Sequence, residues 1–102
     1  MFSIEPIPYQ GVEALSFRQL DQLNEFPKGT AFRLFKAGRQ ALIEGQDYFH
    51  LPEAAHADLI ETLRARGQIY ASTVNLVLLT QAGYSRLRQL QRGIDQAPVR
   101  PR

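Results

Sequence analysis

The sequence predicts an α+β fold: a small winged-helix-like domain, with a helix-turn-helix packed on a short antiparallel sheet. Three observations predict it. Residues 16–43 hold two amphipathic segments divided by Pro27 and Gly29, which reads as helix, turn, helix. Tyr48–Leu51 and Val74–Leu79 are short runs of strand formers bounded by turn residues. The length of 102 residues suits one domain. A chain of that size buries roughly 65% of its unfolded surface and needs no disulfide or metal to fold.

Residues 1–14, with Pro6, Pro8 and Gly11, read as an N-terminal arm carrying at most a short edge strand at Ile7–Tyr9. The domain proper spans 15–92. Ser16 fits a helix N-cap and Gln19 the N3 position of a capping box, with Leu15 and Leu20 placed as a hydrophobic staple. Phe17, Leu20 and Leu23 share one face, and Pro27 stops this helix near Glu25 or Phe26. Gly29 permits a sharp turn and Thr30 is placed to cap a second helix running to Ile43, with Gly45 at its C′ position. At 100° per residue, Ala31, Leu34, Phe35, Gly38, Ala41 and Leu42 share the core-facing arc, and Phe32, Arg33, Lys36, Arg39, Gln40 and Ile43 the opposite one.

Residues 53–66 read as a third helix with Leu59, Ile60 and Leu63 inward, ended by Gly67. Gln68–Ala71 and Val74–Leu79 read as a strand pair around a Ser72-Thr73 turn, the candidate wing. Thr80 then caps a last helix with Tyr84, Leu87 and Leu90 inward, and residues 93–102 read as a disordered basic tail.

Net charge is only +2, but its distribution is uneven. Residues 1–27 set Arg18 against Glu5, Glu13, Asp21 and Glu25; residues 28–43 carry Lys28, Arg33, Lys36 and Arg39 with no acid. Residues 44–63 hold five acids and no Lys or Arg, and residues 86–102 five Arg against Asp95. A polar molecule with a cationic face follows.

An acid-free helix face is what entry into a DNA major groove requires, because phosphate repels carboxylates and favours cations. The candidate contacts on the second helix are Lys28, Thr30, Phe32, Arg33, Lys36, Arg39 and Gln40. Arg can pair with guanine, Gln with adenine, and Phe can meet a thymine methyl. Lys28, Gly29 and Thr30 stand where helix N–H groups attract a phosphate. At the wing, Gln68, Tyr70, Ser72, Thr73 and Asn75 could all bond to phosphate. The same pattern also describes an ordinary solvated helix face, and the wing an ordinary hairpin tip. The arginines Arg86, Arg88, Arg92, Arg100 and Arg102 offer a second backbone clamp or simply solubility.

Three segments carry a resemblance. They are Phe32-Arg-Leu-Phe-Lys-Ala-Gly-Arg, Ile43-Glu-Gly-Gln-Asp-Tyr-Phe-His-Leu and Leu78-Leu-Thr-Gln-Ala-Gly-Tyr-Ser-Arg-Leu. Over residues 15–91 the chain resembles the N-terminal DNA-binding domain of phage antirepressor and phage regulatory proteins, the KilA-N and Bro-N-like group. The resemblance implies a double-stranded DNA partner, transcriptional regulation in a prophage, a bacterial cytoplasmic location and no cofactor. It matches Arg33, Lys36 and Arg39 to the family's basic helix, and Asp47, Tyr48 and Phe49 to its strand. Thr80, Gly83 and Tyr84 match the start of the last helix, where they read as cap, close packing and core. Such proteins often carry a further C-terminal domain, which these 102 residues leave no room for.

The alternative is a protein-interaction module, an antirepressor or adaptor that meets a repressor or host factor through the same basic face, with Phe32 as anchor. An RNA-binding role is weaker, since Phe32 and Tyr70 alone offer a stacking platform. One wing and one helix cover a half-site, so a homodimer is expected, with the last helix as a candidate face. Enzyme motifs are absent: there is no phosphate-binding Gly-rich loop, no G-x-S-x-G and no H-E-x-x-H. Cysteine is absent, His50 and His56 lack metal-ligand spacing, and no apolar run approaches a membrane span of ~18 residues.

Overall fold

The computed structural model describes residues 4–95, with side chains to residue 90. Among these, four strands and four helices form the expected α+β architecture: β1 (Ile7–Tyr9), β2 (Val12–Ser16), α1 (Phe17–Asn24), α2 (Thr30–Gly38), a 3₁₀ turn (Arg39–Ala41), β3 (Tyr48–Pro52), α3 (Glu53–Ala65), β4 (Asn75–Thr80) and α4 (Gln81–Asp95). The strands make one antiparallel sheet in the order β1-β2-β4-β3. Each outer strand contains a proline, Pro8 or Pro52, which has no N–H to offer a further strand.

β4 explains why the sheet is covered on both faces. Its run Leu76-Val77-Leu78-Leu79 is continuously apolar, so alternate side chains feed two separate cores. Leu76 and Leu78 join Phe49, Leu51, Ile7 and Ala14 under α3, whose Ile60 and Leu63 close that layer. Val77 and Leu79 join Tyr48 under α1, α2 and α4, which contribute Leu20, Ala31, Phe35 and Leu87.

Three of the four helices start directly from a strand, with no intervening residue. Ser16 ends β2 and caps α1, its hydroxyl accepting from Gln19 N–H at 3.1 Å while Gln19 Oε1 accepts from Ser16 N–H at 3.0 Å. Both halves of the expected capping box are present. Pro52 ends β3 and stands at the N-cap of α3. Thr80 ends β4, and its hydroxyl accepts from Gly83 N–H at 3.0 Å as the cap of α4. α2 alone has no such junction.

Several expectations are corrected. The edge strand expected at Ile7–Tyr9 does form, as β1 in a hairpin with β2, but the arm beyond that strand joins the sheet too, with Ile7 and Ala14 buried. The strand over Gln68–Ala71 does not form, because β4 is a central strand whose two edges are already taken by β2 and β3. The segment is instead a loop pinned by Gln68, whose carbonyl accepts from Ser16 Oγ at 2.6 Å, and by buried Ile69. The winged hairpin is therefore replaced by a loop around Ser72 and Thr73.

The second helix ends at Gly38 and tightens into the 3₁₀ turn, rather than running to Ile43. Gly38 packs against α4, where a Cβ would come within 3.0 Å of Leu90 and 3.2 Å of Leu87. The shortened turn leaves Ala41 exposed and brings Leu42 inward. Gly45 is not its C′ residue; it lies in the loop before β3 and donates to Tyr48 O at 2.6 Å. Leu23 is 49% exposed, not part of the core. α4 continues through Gly93 to Asp95, so the basic tail does not begin at residue 93; residues 96–102 lie outside the described ones.

Candidate nucleic-acid interface

α2 is held by a carboxylate from the preceding helix. Asp21, 2% exposed, accepts from Gly29 N–H at 2.9 Å and from Ala31 N–H at 2.8 Å. The N-cap is Gly29, at φ 91°, a conformation open to glycine at little cost. Thr30 is thus not the cap: it is the first helical residue, and its hydroxyl donates to Pro27 O at 2.8 Å. The helix N–H groups proposed for a phosphate at Lys28–Thr30 are in part already bonded to Asp21, so this end is not an open anion site.

The same carboxylate accepts from the Tyr70 hydroxyl, tying the 68–75 loop to the start of α2. Burial, reinforced by this hydrogen bond, pushes the Tyr70 phenol up from 10.0 to about 12. Folding favours the protonated phenol, so its contribution is fully present below pH 10 and is lost as pH rises towards 12. In alkaline urea titrations the wild type is expected to lose stability over that interval more steeply than Tyr70→Phe. Parallel curves would show that the phenol titrates alike in folded and unfolded chains.

Between α2 and this loop lies a groove of about 520 Å³. Lys28, Phe32, Lys36 and Arg39 line it from the α2 side, with Arg18 from α1. Tyr70, Ser72, Thr73, Val74 and Asn75 line the opposite wall. Phe17, Phe35, Tyr48, Ile69, Leu76 and Val77 are apolar or aromatic lining, and His50 joins them from β3. No lining residue is acidic. Among the described residues, ion pairs join Arg64 to Glu53 and Glu61, and Arg86 to Asp47; none engages Arg18, Lys28, Arg33, Lys36 or Arg39. Four of these cations, all but Arg33, sit instead over aromatic rings. Lys28 Nζ lies 5.1 Å and Arg18 Cζ 5.7 Å from the Tyr70 centroid, and Lys36 Nζ lies 5.3 Å from that of Phe32.

The structure therefore brings together Lys28, Phe32, Lys36, Arg39, Ser72 and Thr73 in one groove. It leaves three candidates aside. Arg33 and Thr30 meet each other at 3.4 Å outside the groove lining, and Gln40 lines a separate apolar hollow with Leu34, Leu87 and Leu90. Tyr70 and Asn75, expected beside Ser72 and Thr73 at the wing, line the same groove, whereas Arg18 was missed because it comes from an element distant in sequence. Arg18 was legible only as the one cation in an acidic segment.

Of the arginines of the C-terminal clamp, the two with described side chains, Arg86 and Arg88, do not line this groove. Arg88 donates to Asn24 Oδ1 at 2.9 Å, and Arg86 lies 3.6 Å from buried Asp47. The side chains of Arg92, Arg100 and Arg102 lie outside the described residues. Leu87 is buried in the core, as its inward position in the last helix predicts, and Leu90 is half-buried. Among the described residues no three of His, Cys, Asp and Glu gather as a metal set, and no helix is long and apolar enough to cross a membrane. No protein-family model, no curated protein and no solved structure matches the chain.

Proposed function

We propose that the chain is a sequence-specific double-stranded DNA-binding protein of phage or prophage origin that acts in transcriptional regulation. The exposed face of α2 enters the major groove, and the 72–75 loop meets the phosphate backbone. The observation that carries this reading is the acid-free groove, with Arg18, Lys28, Lys36 and Arg39 around it and none of them in an ion pair. Cations held clear of internal carboxylates release counterions on meeting phosphate. The likeness of Phe32–Arg39 and Ile43–Leu51 to phage regulatory domains supports the same reading.

Fluorescence anisotropy with a random duplex of ~20 base pairs across a salt series tests it. Wild type is expected to bind at micromolar concentration, and Lys36→Ala/Arg39→Ala to lower the slope of log K against log salt by about 2. Gln40→Ala, in the 3₁₀ turn and outside the groove lining, is expected to leave this non-specific affinity unchanged. A wild type that fails to bind at low salt would overturn the proposal.

A second reading draws on Phe32 and Val74, which are 47% and 56% exposed at the groove. They fit the apolar anchor of an acidic partner, such as a repressor or host regulator. Competition by random duplex separates the two readings, since only a DNA site is filled by it.

A further inference from the structure

A fully paired duplex presents phosphates and base edges to a protein, and hides the faces of its bases. The cations of the groove answer the phosphates. They do not account for the rest of it. Phe17, Phe35, Tyr48 and Val77 form an apolar lining beneath the charges, and the volume of about 520 Å³ is that of a small-molecule site. We infer that this groove is a pocket for an unpaired nucleotide, with its base against Phe32 and its phosphate on Lys36 and Arg39. The inference rests on the nucleic-acid reading of this face and names a substrate form that reading does not require.

The chemistry of the lining favours a base over other anions with an apolar body. A base has a flat apolar face and a polar edge. Phe32 is 47% exposed, meets Phe17 edge-on at 5.6 Å and carries Lys36 Nζ 5.3 Å from its centroid. An aromatic ring beside a cation is the pairing that holds single strands, stacking the base while neutralising its phosphate. Ser72, Thr73, Asn75 and His50 bring hydroxyl, amide and imidazole groups to the same groove, suited to a base edge. An aliphatic anchor from a partner protein would leave those groups without partners.

The test compares two labelled duplexes of one random sequence, one fully paired and one with a short central bubble of unpaired thymines. An oligothymidylate and free thymidine monophosphate serve as competitors. Wild type is expected to bind the bubble about tenfold more tightly than the paired duplex, and Phe32→Ala to bring the ratio of the two affinities to about one, whatever its absolute affinity for the paired duplex. Competition by the oligomer alone identifies a strand as the source of the nucleotide; competition by the monophosphate as well identifies a free nucleotide. Equal affinities for the two duplexes would overturn the inference and leave the duplex reading standing. A bubble preference that survives in Phe32→Ala would also overturn it, by assigning the preference to flexible DNA. Equal affinities together with displacement by a glutamate-rich peptide carrying phenylalanine would reassign the groove to a protein anchor. Failure to bind either duplex would sink both proposals.

Discussion

Gly83→Ala is expected to be the most damaging single substitution in this chain. On helix propensity alone it would stabilise by about 1 kcal/mol, because Gly83 lies inside α4. The local geometry overrules that. A Cβ at this position would stand 1.8 Å from Asp47 O and 2.7 Å from its carbonyl carbon. Neither atom can retreat cheaply. Asp47 O accepts from Thr80 N–H at 3.0 Å and from Thr80 Oγ at 3.1 Å, and the Asp47 side chain is fully buried with Oδ2 accepting from Ile43 N–H at 2.9 Å. Either α4 lifts away from the sheet or the loop before β3 loses its bonds. A loss above about 3 kcal/mol is expected, at the upper end of overpacking effects. Urea denaturation followed by circular dichroism measures it. A midpoint equal to wild type would mean that α4 can slide along β4 without cost.

Asp21→Ala is expected to come second, and it should affect both stability and binding. The carboxylate is buried and accepts from Gly29 N–H, Ala31 N–H and the Tyr70 hydroxyl. Truncation leaves two backbone N–H groups and a phenol without their acceptor. Hydrogen bonds to charged groups contribute roughly 1.5–3 kcal/mol each, offset by relief from burying the charge, so a net loss of about 3 kcal/mol is expected. Tyr70→Phe removes only one of the three and is expected to cost about 1 kcal/mol. Because Asp21 fixes the start of α2 and the loop across the groove together, Asp21→Ala is also expected to weaken duplex binding under conditions where it remains folded. Binding equal to wild type in a folded Asp21→Ala variant would mean that this carboxylate has no part in shaping the interface.

What was legible in the sequence follows the reach of each interaction. The capping box of Ser16 and Gln19 joins residues three apart, so both partners are visible in one short window. The same holds for Thr80 with Gly83, and for the strand Tyr48–Leu51 closed by Pro52. The misread cap of α2 differs in kind. Thr30 was the nearest oxygen, but the acceptor is Asp21, eight and ten residues earlier, brought in by a turn through Glu25 at φ 56°. Nothing in the local spacing distinguishes a carboxylate that will be buried from one that will stay in water.

The wing failed for a tertiary reason. Whether Gln68–Ala71 pairs with β4 depends on whether β4 has a free edge, and that edge is taken by Val12–Ser16, a segment masked by the prolines and glycine around it. Among the site residues, Lys28, Phe32 and Lys36 were legible because they fall within the one regular stretch of α2 or its entry, and Arg39 because it stands directly at its C-cap. Gln40 was not, because a projection at 100° per residue was carried past Gly38, where the helix ends. Arg18 needed the fold itself to bring it to the groove.

The direct joins at Ser16, Pro52 and Thr80 divide the helices mechanically. α1 and α4 leave the sheet as direct extensions of a strand, and α3, which also starts from one, is kinked in its first turn at His56, whose backbone is non-helical. α2 is suspended between two turns and clamped at one end by a side chain. The element that carries Phe32, Lys36 and the entry to the groove is thus the one helix of the four that no strand runs into, placed by its turns, by Asp21 and by the packing of Ala31 and Phe35.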